Sequence, residues 1–189
     1  EYWDRIARFA LPYRPYDNGS VTCLPASNGG LCFGTYPNST APDAFFRDNL
    51  GMIASGNQLI VRDFNRYMVW NDYINKSNGS DADHFVGQPD GWSDANTNLI
   101  QGRSMHAVDD ADRLWCRSEH NRLMVYQLPL TDSSVPLAAL IPLYWADDPN
   151  TQVDYSCDQA VAFDPLLGHL WIFDGPRHRL LRISNPDDY

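Results

Sequence analysis

The chain has 189 residues, of which 43% are hydrophobic and 20% charged, and its formal net charge is -10. This composition indicates a globular protein rather than a disordered one. The acidic balance argues against nucleic acid or an anionic membrane as the main partner, because both require a cationic surface. The longest apolar run, residues 135–146, is too short to span a bilayer and contains two prolines.

The N-terminal stretch EYWDRIARFALPY lacks the apolar core of a signal peptide, and it does not begin with Met. The chain is therefore expected to be processed or to be a fragment of a longer protein. Helical periodicity is poor along the whole sequence. Short apolar runs alternate with Gly, Pro, Asn and Asp, which is typical of strands joined by turns. The predicted fold class is all-β.

Three stretches share one order of elements, namely strand, turn, strand, polar corner and strand: residues 51–70, 105–126 and 159–183. The leucines that open the second strands, Leu59, Leu114 and Leu170, are 55 and 56 residues apart. The arginines that end the corners, Arg66, Arg122 and Arg179, are 56 and 57 residues apart. A repeat of this length with about four short strands indicates a β-propeller blade.

Two corners carry a family resemblance: RDFNRYMVW at residues 62–70 and RSEHNRLMVY at residues 117–126 resemble NHL-repeat propeller blades. The link VGQPDG at residues 86–91 is similar to that of secreted members of the family. The resemblance covers most of the chain from Cys32 onward. It implies a single propeller segment over residues 1–189.

This segment is predicted to be a partial β-propeller of about three four-stranded blades, at approximately residues 33–76, 86–130 and 145–189. A blade remnant at residues 1–12 precedes them, because RIARFALP matches RLMVYQLP further along the chain. A six-bladed ring of such repeats needs roughly 340 residues. We therefore expect a fragment, or a half-ring that pairs with another chain.

The resemblance also implies structural roles at the blade corners, where hydrogen bonds and an ion pair with a neighbouring blade hold the bend. The residues concerned are Asp63, Asn65 and Arg66 in the first copy, Asn121 and Arg122 in the second, and Asp174 and Arg179 in the third. Ser118 stands where the family pattern prefers Asp, and Gly175, Pro176 and His178 depart from it in the third copy.

A binding rim is predicted at the starts of the first strands, where propeller loops reach the central channel. Its candidates are Arg47, Arg103, His106, Asp158 and Gln159. The competing interpretations are solvated loops for the charged residues and a buried, hydrogen-bonded imidazole for His106.

No motif for a cofactor or a catalytic residue is present in the sequence. The five histidines show no H-x-H or H-E-x-x-H spacing, and no C-x-x-C exists. A P-loop, a dinucleotide fingerprint and a G-x-S-x-G elbow are also missing. Neither a metal nor a cofactor is predicted, although a structural or central metal stays open. Asp109, Asp110 and Asp112 favour a solvated turn over a calcium loop.

Cysteines and glycosylation motifs indicate an extracellular or secretory-lumen location. Cys23 and Cys32 flank a turn-rich loop that a disulfide would close, which leaves Cys116 and Cys157 as a second pair. Four N-x-S/T sequons are candidates for glycosylation, at Asn18, Asn38, Asn75 and Asn78.

The leading functional hypothesis is a non-catalytic binding or assembly module of a secreted glycoprotein. Its predicted partners are a protein, a glycan, or further blades of the same or another chain. One alternative is the catalytic part of an extracellular metal-dependent lyase or hydrolase. Another is a structural subunit of an extracellular filament or sheath, since open blade edges invite pairing.

Overall fold

The computed structural model of the chain describes residues 6–8, 31–33, 49–63, 66–77, 80–88, 106–118, 122–140, 143–155 and 160–188. Throughout this part, the regular structure consists of short antiparallel strands and two single-turn 3₁₀ helices, with no α-helix. The predicted all-β class is confirmed. No sheet in the described part closes on itself.

Three sheets follow one another along the chain, and in each the strands pair in sequence order. Sheet I contains β3 (Asn49–Ser55), β4 (Gln58–Asp63), β5 (Arg66–Asn71) and β6 (His84–Val86). Sheet II contains β7 (Ala107–Val108), β8 (Arg113–Ser118), β9 (Arg122–Gln127) and β10 (Ala138–Leu140). Sheet III contains β13 (Ala160–Asp164), β14 (His169–Asp174) and β15 (Arg179–Ile183).

Smaller elements complete the described part. Strand β1 (Ile6–Arg8) pairs with β2 (Leu31–Phe33), and β11 (Leu143–Trp145) forms a hairpin with β12 (Asp148–Val153). One 3₁₀ helix, Gly175–Arg177, forms the corner between β14 and β15, and the other, Pro186–Asp188, follows β15.

The sheets pack face to face, which explains why their strands do not alternate cleanly between apolar and polar residues. All six residues of β4 are buried, because both faces of sheet I are covered. One core lies between sheets I and II and contains Ile60, Tyr67, Val69, Val86, Leu114, Cys116, Met124, Tyr126 and Leu130. A second core lies between sheets II and III and includes Trp115, Leu123, Val125, Leu170, Ile172, Leu181 and Ile183.

The first strands of the three sheets lie side by side: β3 contacts β7, and β7 contacts β13. The starts of the three repeats are thereby brought together at one side of the stack. His106, which immediately precedes β7, lies at this convergence.

The sheet boundaries differ from the predicted repeat boundaries. A repeat at residues 33–76 excludes β6, and the stretch between residues 130 and 145 contains β10, yet these strands pair with β5 and β9. Both fourth strands have only three residues and follow polar loops. Such short strands give little periodic signal in the sequence.

Candidate functional site

His106 is the member of the predicted binding rim that the structure describes, and it is buried rather than open to a channel. Its side chain packs against Gly51 of β3, where an added Cβ would lie 3.2 Å from the imidazole Cε1. The ring of Tyr67 meets the imidazole edge to face, with 5.6 Å between centroids. His106, which immediately precedes sheet II, thus packs in the contact between sheets I and II.

Neither ring nitrogen of His106 has a hydrogen-bond partner among the described residues. Its burial agrees with the interpretation of His106 as a buried imidazole, whereas no described residue supplies the hydrogen bond that this interpretation includes. Burial lowers the pKa of His106 to about 4, and the nearby Arg62 charge lowers it as well. The imidazole is neutral at pH 7 and serves as a packed ring in the sheet I–sheet II contact.

Beside this ring, Tyr67 and Cys116 form the buried centre of the same contact. Burial raises the pKa of the Tyr67 phenol well above its usual value, and burial also raises the pKa of the Cys116 thiol. Cys116 is a free, buried thiol. Its side chain lies in the core between sheets I and II. Cys157, the predicted disulfide partner, lies outside the described residues, so that pairing stays a prediction.

The corner of sheet I is a buried ion pair. Asp63 ends β4 and Arg66 begins β5, so the tight turn places them opposite each other in the β4–β5 ladder. Arg66 Nε donates to Asp63 Oδ2 at 2.8 Å, and both side chains are almost completely buried. The Arg66 guanidinium also lies 5.4 Å from the centroid of the Phe85 ring.

The corner of sheet III has the same register but is more open to solvent. Asp174 is buried and accepts hydrogen bonds from Arg179 Nε at 2.8 Å and Arg177 Nη1 at 3.3 Å. Both arginines also contact Asp154, Arg177 through the Asp154 carboxylate and Arg179 through its backbone carbonyl. His178, which interrupts the family pattern, adopts a left-handed conformation with φ 49° and closes the corner.

A similar polar contact joins sheet I to sheet II and sheet II to sheet III. In both cases it is made by the first residue of the second strand of the sheet. In sheet I that residue is Gln58. Its Nε2 donates to the Leu130 carbonyl at 2.8 Å, and the Leu130 amide donates to Gln58 Oε1 at 2.8 Å. Leu130 lies three residues beyond β9. We call this contact the inter-sheet brace.

In sheet II the equivalent first residue is Arg113, and it braces sheet III. Its Nη2 donates to Asp187 Oδ1 at 2.5 Å and its Nη1 to the Pro186 carbonyl at 3.4 Å. Pro186 lies three residues beyond β15, as Leu130 does beyond β9. Asp109 fixes the Arg113 side chain, because its carboxylate accepts from Arg113 Nε and Trp115 Nε1 at 2.7 Å each. Asp109 is therefore buried rather than solvated, whereas Asp110 and Asp112 of the same turn are exposed.

In sheet III the equivalent first residue is His169. Its Nδ1 is buried and has no hydrogen-bond partner in the described ranges. The imidazole meets the Trp171 ring edge to face, with 6.5 Å between centroids. His169 Nδ1 thus forms no inter-sheet brace with a described residue, unlike Gln58 and Arg113 at the same strand position.

An open groove of about 470 Å³ lies between the β11–β12 hairpin and β15. Two of its aromatic side chains face solvent, since Tyr144 is 51% and Trp145 39% exposed. The Arg179 guanidinium lies 5.5 Å from the Trp145 ring centroid and supports the indole. Polar lining residues flank these aromatic rings: Asp147, Arg182, Ser184, Asn185 and Asp188.

Sequence reasoning missed both the groove and the braces. The adjacent pair Tyr144-Trp145 was a usable signal, because aromatic residues are enriched at binding surfaces. The braces gave no such signal, since Gln58, Arg113 and His169 share a position but not a residue type.

Several predicted residues lie outside the described residues or are described only in their backbone. Outside are Arg47, Arg103, Asp158, Gln159, Asn65, Asn121, Asn18, Asn38, Asn78, Cys23 and Cys157. Cys32 is placed as part of β2, and Arg122 as the first residue of β9. The remaining sequon residue, Asn75, is exposed in a turn, and its Nδ2 donates to the Asp72 carboxylate.

The described ranges hold no group of three or more His, Cys, Asp or Glu side chains arranged to bind a metal ion. No helix in them is long and apolar enough to cross a bilayer.

Comparison with known proteins returned no relative. No model of a known protein family matches the chain, and neither the curated proteins nor the solved structures contain a match.

Proposed function

We propose that the chain is a partial β-propeller of NHL-like blades that acts as a non-catalytic binding or assembly module of a secreted glycoprotein. Three features support the blade assignment. The three sheets share one strand order, their first strands adjoin, and the second strands of sheets I and II each begin with a residue that braces the next sheet. Stacked repeats of this kind present loops and grooves on a rigid support.

The observation that carries the binding function is the pair of exposed aromatic residues in the 470 Å³ groove. Aromatic rings with a few convergent polar groups are typical of recognition sites. Tyr144 and Trp145 supply flat apolar surfaces, on which a sugar ring or an apolar side chain packs. Asp147, Asn185 and Asp188 supply acceptors and donors for hydroxyl or amide groups of a ligand.

A binding screen tests this function directly. The intact protein is applied to an array of extracellular glycans and to a panel of purified extracellular proteins, and each hit is titrated by calorimetry. We expect Trp145→Ala and Tyr144→Ala each to weaken the hit at least tenfold, because the contact area lies on their rings. Val135→Ala is the control, since Val135 is an exposed apolar residue that does not line the groove.

Ligands that bind wild type and both aromatic variants equally would exclude the groove as the recognition site. Thermal unfolding of each variant separates a binding loss from a folding loss, because Tyr144 and Trp145 are substantially exposed.

Secretion and glycosylation are the second part of the proposal. Asn75 is exposed in a turn, where an enzyme and a glycan have access. Expressed in a eukaryotic secretory host, the protein is expected to enter the medium with a glycan at Asn75. Asn75→Gln then lowers the mass by one glycan, whereas Asn150→Gln, which is exposed but not part of a sequon, leaves the mass pattern unchanged. A wild-type mass that glycosidase treatment does not alter would contradict this part.

A further inference from the structure

The outer face of sheet III is defined by the side chains that point away from sheet II: Ala162, His169, Trp171, Phe173, Leu180 and Arg182. At two of these positions the equivalent residues of sheets I and II are fully buried. The third residue of the second strand is Ile60 or Trp115, each 0% exposed, and it is the half-buried Trp171 in sheet III. At the second residue of the third strand, Tyr67 and Leu123 are 0% exposed, whereas Leu180 is 64% exposed.

The outer face therefore carries apolar side chains at positions that form the inter-sheet contacts elsewhere, but no described sheet packs against it. Two established interfaces, sheet I on sheet II and sheet II on sheet III, use the same strand positions. At the third such face Leu180 is 64% exposed, and with Arg182 it also lines the edge of the groove beside the β11–β12 hairpin. Nδ1 of His169 is buried on this face and lacks a brace. An apolar sheet face of this kind is stabilised by covering it with another sheet.

The positions of two charged residues distinguish between the orientations in which a second copy could cover this face. Arg182 lies on β15 at one edge, and Asp164 lies on β13 at the opposite edge. If a second copy packs here with its two-fold axis parallel to β14, the β15 edge of each copy meets the β13 edge of the other. Each Arg182 then lies over Ala162 of the other copy and within diagonal reach of its Asp164. An axis perpendicular to the strands would instead bring the two Arg182 side chains together.

From this face, we propose that two copies of the chain associate through the outer faces of their third sheets, with β13 of one copy over β15 of the other. The inference rests on the assembly half of the proposed function and names the partner. The contact is isologous, since one patch pairs with itself and opposite charges meet at both ends. Trp171, Phe173 and Leu180 of each copy form its apolar centre.

The association is expected to be weak and dependent on concentration. Three strands of five or six residues give a face about 17 Å long and 14 Å wide, which is below the size of a standard stable interface. Sedimentation velocity of the intact protein over roughly 5 to 500 μM covers the micromolar range expected for such an interface. Wild type is expected to shift from monomer to dimer across this range.

Paired variants at Ala162 test the orientation by the sign of one charge. Ala162 is exposed, does not line the groove, and would lie opposite Arg182 of the second copy. Ala162→Lys is expected to raise the dimer dissociation constant at least tenfold, because it opposes two cations. Ala162→Glu is expected to retain or tighten the dimer. Met52→Lys is the control, since Met52 is exposed in the first strand of sheet I.

Three outcomes would overturn the proposal. A wild type that stays monomeric at the highest concentration would exclude a second copy as the partner of this face. Equal effects of Lys and Glu at residue 162 would exclude the strand-parallel axis, and an equal effect of Met52→Lys would exclude the face. Ligand binding by the Ala162 variants is measured in parallel, so that failure of the dimer is distinguished from failure of the groove.

Discussion

Gln58 of sheet I and Leu130 beyond sheet II are joined by a reciprocal pair of hydrogen bonds, each 2.8 Å long. The side-chain amide thereby satisfies both backbone groups of a residue 72 positions away, in a buried setting. Gln58 Nε2 also donates to Asn71 at 2.7 Å within sheet I. One side chain thus links the register of its own sheet to the position of the next.

Replacing Gln58 by alanine should destabilise the protein by about 2 kcal/mol, because a buried amide and a buried carbonyl of Leu130 lose their partner. The free energy of unfolding is measured by urea titration. The matched control is Gln152→Ala in β12, where the side chain is exposed and the expected change is within about 0.5 kcal/mol. Equal effects of the two substitutions would show that the brace contributes nothing specific.

The two described corners should respond differently to loss of their carboxylate. Asp63→Ala is expected to cost about 3–5 kcal/mol, because it leaves the guanidinium of Arg66 in a buried site without this partner. Asp174→Ala should cost less, about 1–2 kcal/mol, since Arg177 and Arg179 are each about one-third exposed and water can solvate them. Urea titration of both variants tests the order, and a larger loss for Asp174→Ala would contradict it.

Gly51 is expected to be intolerant of a side chain for two separable reasons. Its φ of +152° favours glycine, and an added Cβ would meet His106 Cε1 at 3.2 Å. Gly51→Ala should therefore cost about 1–3 kcal/mol. In the background of His106→Ala the steric part disappears, so the substitution should cost about 1 kcal/mol less.

The control for this cycle is Gly56→Ala, at a glycine with φ +57° and no atom within 4 Å of an added Cβ. Its cost is backbone strain alone and should be the same with His106 or Ala at residue 106. Additivity of Gly51→Ala and His106→Ala would indicate that the imidazole and residue 51 do not press on each other.

His106 should make stability depend on pH below about 6.5. The unfolded chain protonates this imidazole near pH 6.5, whereas the folded protein does so only near its lowered pKa of about 4. Its contribution is therefore complete above pH 6.5 and declines as the pH falls toward 4. Between pH 7.5 and 5.5 the free energy of unfolding should drop by about 1.3 kcal/mol from this group.

Urea titrations at the two pH values measure this drop, and His106→Asn should remove it. His178→Asn serves as the control, because His178 is exposed and asparagine tolerates its left-handed backbone. An undiminished drop in His106→Asn would assign the pH dependence to other groups.

The repeat of strand, turn and corner can be predicted from the sequence because its markers recur at fixed spacing. Leu59, Leu114 and Leu170 each follow the first residue of a second strand, at the same position in β4, β8 and β14. Asp63 and Arg66 lie at the corner that marks the repeat, where they form one buried ion pair with each other. Contacts of this kind join residues that are close in the sequence, and for this reason the repeat pattern predicts them.

Contacts between sheets leave no such pattern. Gln58 and Arg113 look like exposed polar residues at strand starts, yet each reaches a segment more than 70 residues away. The groove is equally non-local, since its two walls come from β11–β12 and β15. The environment of Cys116 is non-local as well, because the stacking of sheets I and II buries its thiol.

The inter-sheet braces can form only late in the synthesis of the chain. Gln58 leaves the ribosome long before its partner, because 72 residues separate it from Leu130, and 73 separate Arg113 from Pro186. At a translation rate of about 5–20 residues per second, a sheet waits for several seconds before its successor can cover it. During that interval the apolar face of sheet I, and then that of sheet II, stays open until the following sheet has been made and covers it.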